Sequence, residues 1–193
     1  MFKLQDSAVS DGVAGNARLT GALAAALLVL LAAEGVTIPF IGPLLGPHVF
    51  IGMLLLGPVL AKMGSTGYRF ARYYTHAEPY VLKGPPPLVL RLLAPGVVVT
   101  TVALFGTGIA LLLAGPPSST LVFAHKLSFI AWFAVMALHV LGHLLELPAL
   151  AGADLRREDR VLGARWRSAA LAGSILAGVG LGLIGLAAAS AWF

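Results

Sequence analysis

Five histidines stand in this 193-residue sequence, and three of them fall in a stretch that otherwise reads as lipid-facing. That stretch is "AHKLSFIAWFAVMALHVLGH", residues 124–143, with His125, His139 and His143. An imidazole can carry a proton, brace a neighbouring helix or bind a metal. Within a bilayer an ionisable side chain is costly, so its first reading is functional. Fourteen positions separate His125 from His139. On a helix this returns to within ~40° of the starting direction, so both rings leave one face, ~21 Å apart along the axis. His143 shares that face, one turn further on. His48 opens another apolar run, "HVFIGMLLLGPVLAK". His76, in "RYYTHAEPY", sits among basic residues and reads as solvated or lipid-facing.

The elements that must position these rings are membrane helices. The chain is 59% hydrophobic and 11% charged, a balance that a wetted domain surface does not show. Its apolar residues gather into five blocks, about 19–38, 48–68, 92–113, 120–145 and 168–191. Each suits the ~20 residues that cross a bilayer as helix. The fold expected is therefore an all-α integral membrane protein, a bundle of about five transmembrane helices. Residues 1–18, with Asp6 and Asp11, read as a retained cytoplasmic tail, and 19–193 as one transmembrane domain. Prolines punctuate the connections: Pro43 and Pro47, "GPPP" at 84–87, "GPP" at 115–117, and Pro148.

Charge sorts by loop. Lys62, Arg69, Arg72, Lys83 and Arg91 lie between the second and third spans, and Arg156, Arg157, Arg160, Arg165 and Arg167 between the fourth and fifth. The other two connections are uncharged. Basic loops stay in the cytoplasm, which puts the amino terminus inside and the carboxyl terminus outside. The abundance of Ala, Gly and Leu points to a bacterial plasma membrane. The net charge of +5 is thus a topological signal, and with no nucleic-acid motif no nucleic-acid partner is expected. Tyr68, Tyr73, Tyr74 and Tyr80 join Arg69 and Arg72 in an interfacial belt.

There is no cysteine, which excludes thiolate-held zinc, iron–sulfur clusters and covalently attached c-type haem. Metal chemistry must rest on histidine or a less usual ligand. His48 and His125 both stand at the starts of spans running from outside to inside, so their depths match. Two imidazoles at one depth on parallel helices are what the two axial positions of a haem require. Taken singly, each is equally a histidine capping or bracing a helix start. Gly52, one turn below His48, leaves room for a macrocycle's edge. Glu34, in "LLAAEGVTIP", either hydrogen-bonds the second nitrogen of His48 or His125, fixing its tautomer and lowering a haem's potential, or lies in the headgroup layer. Trp132, one heptad from both His125 and His139, packs either between cofactor sites or against another helix.

On these residues, about 48–145, the chain resembles the membrane b-type cytochromes, including the cytochrome b and ferric-reductase-like transmembrane groups. In those, two helices each carry a histidine pair about four turns apart and hold two stacked haems. The resemblance implies haem b bound by His48 and His125, with a second centre at His139. It supplies three of the four histidines, because the fourth position holds Lys62. Either the Lys62 amine ligates a second haem opposite His139, or Lys62 snorkels to the interface while His139 and His143 bond to neighbouring helices.

In the last span "GLGLIG", 180–185, formally matches a dinucleotide fingerprint but follows no strand. The spacing of Gly178 and Gly182 suits close helix packing, within the chain or between chains. No hydrolase motif is present. The function expected is electron transfer by a membrane b-type haem protein, a redox component more than a stand-alone enzyme, with a quinone or redox protein as partner. The alternatives are a haem-free proton or ion path through Glu34, Lys62, His139 and His143, and an anchor subunit of a larger complex or homo-oligomer docked through its glycine-rich last span.

Overall fold

The computed structural model describes residues 2–85, 87–115, 118–143 and 162–192, with side chains from residue 12 onward and without that of His143. Pro86, Pro116, Pro117, Pro148, Arg156, Arg157 and Arg160, the side chains of Asp6, Asp11 and His143, and the end of the fourth expected span lie outside the described residues. Six helices make up this part: α1 Phe2–Thr37, α2 Ile41–Tyr74, α3 Glu78–Lys83, α4 Leu88–Ala114, α5 Ser119–His143 and α6 Ala164–Ala188. A 3-10 turn, Ser190–Trp192, follows. No strand occurs among the described residues, and five helices (all but α3) are long and apolar enough to cross a membrane. The protein is an all-α bundle of membrane-spanning type.

Each expected span falls in a separate helix, but two helices run further. α1 reaches back to Phe2, into the stretch expected as a tail. Nothing between residues 2 and 37 is a proline, and adding a turn to an existing helix is far cheaper than starting one. α2 holds 34 residues, ~50 Å at ~1.5 Å per residue, against a hydrocarbon core of ~30 Å. It therefore carries its Tyr and Arg residues beyond the apolar layer. Pro43 and Pro47 do not delay α2; they kink it, with Leu44 at φ −108°, ψ 17°, since Pro47 has no N–H to offer one turn back. At its far end the Ala77 amide bonds the Arg72 carbonyl and the His76 amide the Tyr73 carbonyl. This is a Schellman cap, with His76 as its left-handed residue at φ 58°.

The helices pack in two groups. α2 lies against α6 and α1, and α5 lies against α4. Where α2 meets α6, backbone touches backbone. Pro58, fully buried, has no N–H to bond the Leu54 carbonyl one turn below. That carbonyl abuts Gly178, where a Cβ would overlap it, and Gly57 likewise abuts the Ser174 carbonyl. Gly182 sits on Phe50 and Gly185 on Met53, while Gly180 faces open space. So the glycine run is a packing seam for α2, of the kind that lets membrane helices approach closely. Between α4 and α5 the seam uses Gly96 against Val135, Gly142 against Leu90, and the buried Trp132.

Candidate functional site

His48 lies in the first turn of α2 past its kink, and His125 in the second turn of α5. Their ring centroids are 6.3 Å apart, with planes at 81°. The chain thus brings together two imidazoles from sequence positions far apart, across the interval between the two helix groups. α2 and α5 are not closely packed along their backbones, so side chains fill that interval.

Both rings are held by Nδ1. Thr37, at the end of α1, gives its hydroxyl proton to the Glu34 carbonyl, so its oxygen accepts from His48 Nδ1, 2.9 Å away. Glu34 Oε1 stands 2.9 Å from the same nitrogen. Two acceptors at Nδ1 place the proton there and leave the Nε2 lone pair as the ring's donor. His125 is treated alike by α4. The Thr107 hydroxyl bonds the Ala103 and Leu104 carbonyls, each at 2.9 Å, and its oxygen accepts from His125 Nδ1 at 3.1 Å. Ser128 closes the network, 3.0 Å from Thr107 and 2.9 Å from the His125 carbonyl. His125 can lie this close to α4 because residue 108 is glycine, where a Cβ would stand 3.2 Å from the ring's Cε1.

The remaining candidates are distributed as follows. Glu34 serves His48, and its Oε2 is buried with no hydrogen-bond partner among the described residues. Gly52 faces Glu34: a Cβ there would lie 3.3 Å from Oε1, so the space expected for a macrocycle's edge is taken by the carboxylate. Trp132 packs against α4, its indole N–H donating to Thr101 Oγ1 at 3.1 Å, with Phe129 stacked beside it. Lys62 turns to α1 and donates to the Thr20 carbonyl at 2.8 Å. One turn on, the Ser65 hydroxyl is 2.6 Å from Thr20 Oγ1 and 3.1 Å from Asn16 Nδ2. His139 lies half-buried on α5.

Thr37, Thr107, Ser128 and Gly108 escaped the sequence reading. Their signal was present in "ALFGTGIAL", where one hydroxyl and two glycines interrupt an apolar run, and in the threonine three residues after Glu34.

The ring separation matches that of two imidazoles sharing one metal. Imidazoles on opposite sides of one metal, each bonded at ~2 Å, have ring centres ~6 Å apart. Each ring can rotate about its own metal–nitrogen bond, so planes at 81° are admissible. A bare ion usually needs three or four protein ligands. Among the described residues no group of three or more His, Cys, Asp or Glu is placed to hold one. Two imidazoles suffice when a macrocycle brings the in-plane donors. Compared with known protein families, curated proteins and solved structures, the chain matches none.

Proposed function

We propose that this protein is a multi-pass haem b protein of a bacterial plasma membrane that transfers electrons within or across the bilayer. The observation that carries the reading is the facing pair His48 and His125, each fixed through Nδ1 so that Nε2 is its donor. When bound there, haem supplies a one-electron carrier whose potential the protein tunes. The chain's own residues do the rest. Glu34 and Thr37 orient one ligand, Thr107 and Gly108 seat the other, and the surrounding apolar helices exclude water. With basic loops inside, the pair lies toward the outer face, accessible to an outer acceptor. The donor is a quinol or a redox protein, and the chain works alone, as a homo-oligomer or as a subunit of a complex. Gly178, Gly182 and Gly185 of α6 already pack on α2, so docking to a larger complex uses a face other than that seam.

A second haem at His139 needs a partner ligand, and the Lys62 amine is engaged with α1. The reading is therefore one haem per chain. The rival with a specific observation behind it is a haem-free ion path, favoured by the polar group Lys62, Ser65, Thr20 and Asn16. Those bonds all close between α1 and α2, which is how a brace is built.

The test is an optical spectrum of the purified chain, oxidised and reduced, with haem quantified. One low-spin b-type haem per chain supports the reading. Absence of haem from protein produced with ample haem supply overturns it, and ion flux through liposomes carrying that protein would then favour the rival.

A further inference from the structure

The proposed ligands are hydrogen-bonded by chemically different groups. His48 Nδ1 faces a carboxylate oxygen at 2.9 Å together with the Thr37 hydroxyl. Among the described residues His125 Nδ1 faces a neutral acceptor, the Thr107 hydroxyl at 3.1 Å. A hydrogen bond to a charged acceptor is roughly twice as strong as a neutral one. A carboxylate pulling on Nδ1–H pushes electron density to Nε2 and raises the ring's basicity. The carboxylate is also mechanically held: it sits in the space left by Gly52, and the carbonyl of its own residue receives the Thr37 proton. Its side chain is 14% exposed, so water does little to weaken the bond.

We infer that His48 and His125 are inequivalent as ligands and that Glu34, acting through His48, is the positioning residue that would set the electron affinity of the site. The inference rests on the haem reading. A more basic Nε2 stabilises the oxidised iron over the reduced, so Glu34 holds the potential low, while Thr107 orients His125 with little electronic effect. A haem held there would supply a one-electron carrier between donor and acceptor; Glu34 exchanges nothing and would change only how readily the electron is held.

The test is a redox titration of the haem-loaded chain, followed by its optical spectrum, for wild type, Glu34→Gln, Glu34→Asp and Thr107→Val. Glu34→Gln keeps an acceptor of the same shape but no charge, and is expected to raise the reduced-to-oxidised ratio at fixed solution potential by ~10-fold, ~59 mV for one electron, with a low-spin spectrum retained. Glu34→Asp withdraws the carboxylate from Nδ1 while leaving its charge nearby, and is expected to shift the ratio in the same direction. Thr107→Val is expected to change it by less than ~3-fold, as befits loss of a neutral bond. An unchanged potential in Glu34→Gln overturns the inference. So does Glu34→Asp at the wild-type value, which would mean that charge acts through space, and so does Thr107→Val shifting as far as Glu34→Gln. Should Glu34→Gln fail to retain haem, the Glu34→Asp result decides. Wild type without haem sinks the function itself, a separate outcome.

Discussion

α2 and α5 carry two levels of polar residues fourteen positions apart, His48 and Lys62 on one helix, His125 and His139 on the other. At the first level the two helices present rings to each other, 6.3 Å apart. At the second, Lys62 turns away to the Thr20 carbonyl. Spacing along α2 is the same, and α1 is the neighbour in both cases. The difference lies in what α1 offers and in what the α2 side chain can give. Glu34 and Thr37 take the proton of one ring nitrogen and leave the lone pair of the other as the ring's donor. The Lys62 side chain has a single nitrogen, and α1 holds it at the Thr20 carbonyl. Matched depth therefore makes a site only where the third helix leaves the donor atom free to reach the facing helix.

The largest expected effect separates these levels. His48→Ala and His125→Ala should each lose the low-spin haem spectrum, whereas Lys62→Ala should keep one haem per chain. Haem quantification on the three purified variants checks this. Loss of haem in Lys62→Ala comparable to that in the histidine variants would erase the distinction between the levels.

The contrast extends to how α2 meets its two neighbours. Toward α6 the backbones touch, and Leu54 and Gly178 leave no room for a side chain. Toward α5 the interval is wide enough for two rings. Gly178→Ala must push the helices apart or strain them, at a cost of about 1–3 kcal/mol, which corresponds to roughly 5 °C in unfolding midpoint for a chain of this size. Gly180→Ala, with nothing within 4 Å, is the control and should lose nothing. Equal midpoints for the two variants in detergent would show that the seam yields to a methyl group without cost.

Much of this architecture is legible in the sequence because lipid leaves so few choices. Five apolar blocks of spanning length must be helices, and each block is found in one. A matched depth for His48 and His125 follows from the direction of each span; that the two rings also meet laterally does not. The carboxylate at Glu34 is legible as a costly group wanting a partner. What is not legible depends on rotation about helix axes. Gly52 and Gly178 are both glycines within long helices, yet one makes room for a carboxylate and the other for a helix backbone. Prolines illustrate a second limit. Pro47 and Pro58 both lie inside α2, where a reading from propensity ends the helix at the first; packing on both sides sustains it through two missing hydrogen bonds. Lys62 could be placed at a depth but not turned toward one neighbour or the other.

Trp132 gives a smaller effect on the α5 side. Its indole N–H donates to Thr101, itself buried, so Trp132→Phe keeps most of the packing and leaves a hydroxyl without its donor. The expected cost is about 1 kcal/mol, seen as a small fall in midpoint with haem content and potential unchanged. A changed potential would instead place the indole close to the cofactor.

The smallest effect belongs to Lys62→Met, which asks whether the second level does anything beyond bracing. Methionine fills a similar volume without charge. Thr20 lies well inside α1, so its carbonyl already accepts a helical bond, and removing the amine leaves no orphaned acceptor there. Exchanging a buried polar group for an apolar one of similar shape is then close to neutral, within about 1 kcal/mol in either direction. Haem content should stay at the wild-type value and the potential should not move, because the amine points away from the paired rings. A fall from two haems to one in this variant, starting from a wild type that carries two, would show that the amine leaves Thr20 to act as a ligand and that the two levels are alike after all.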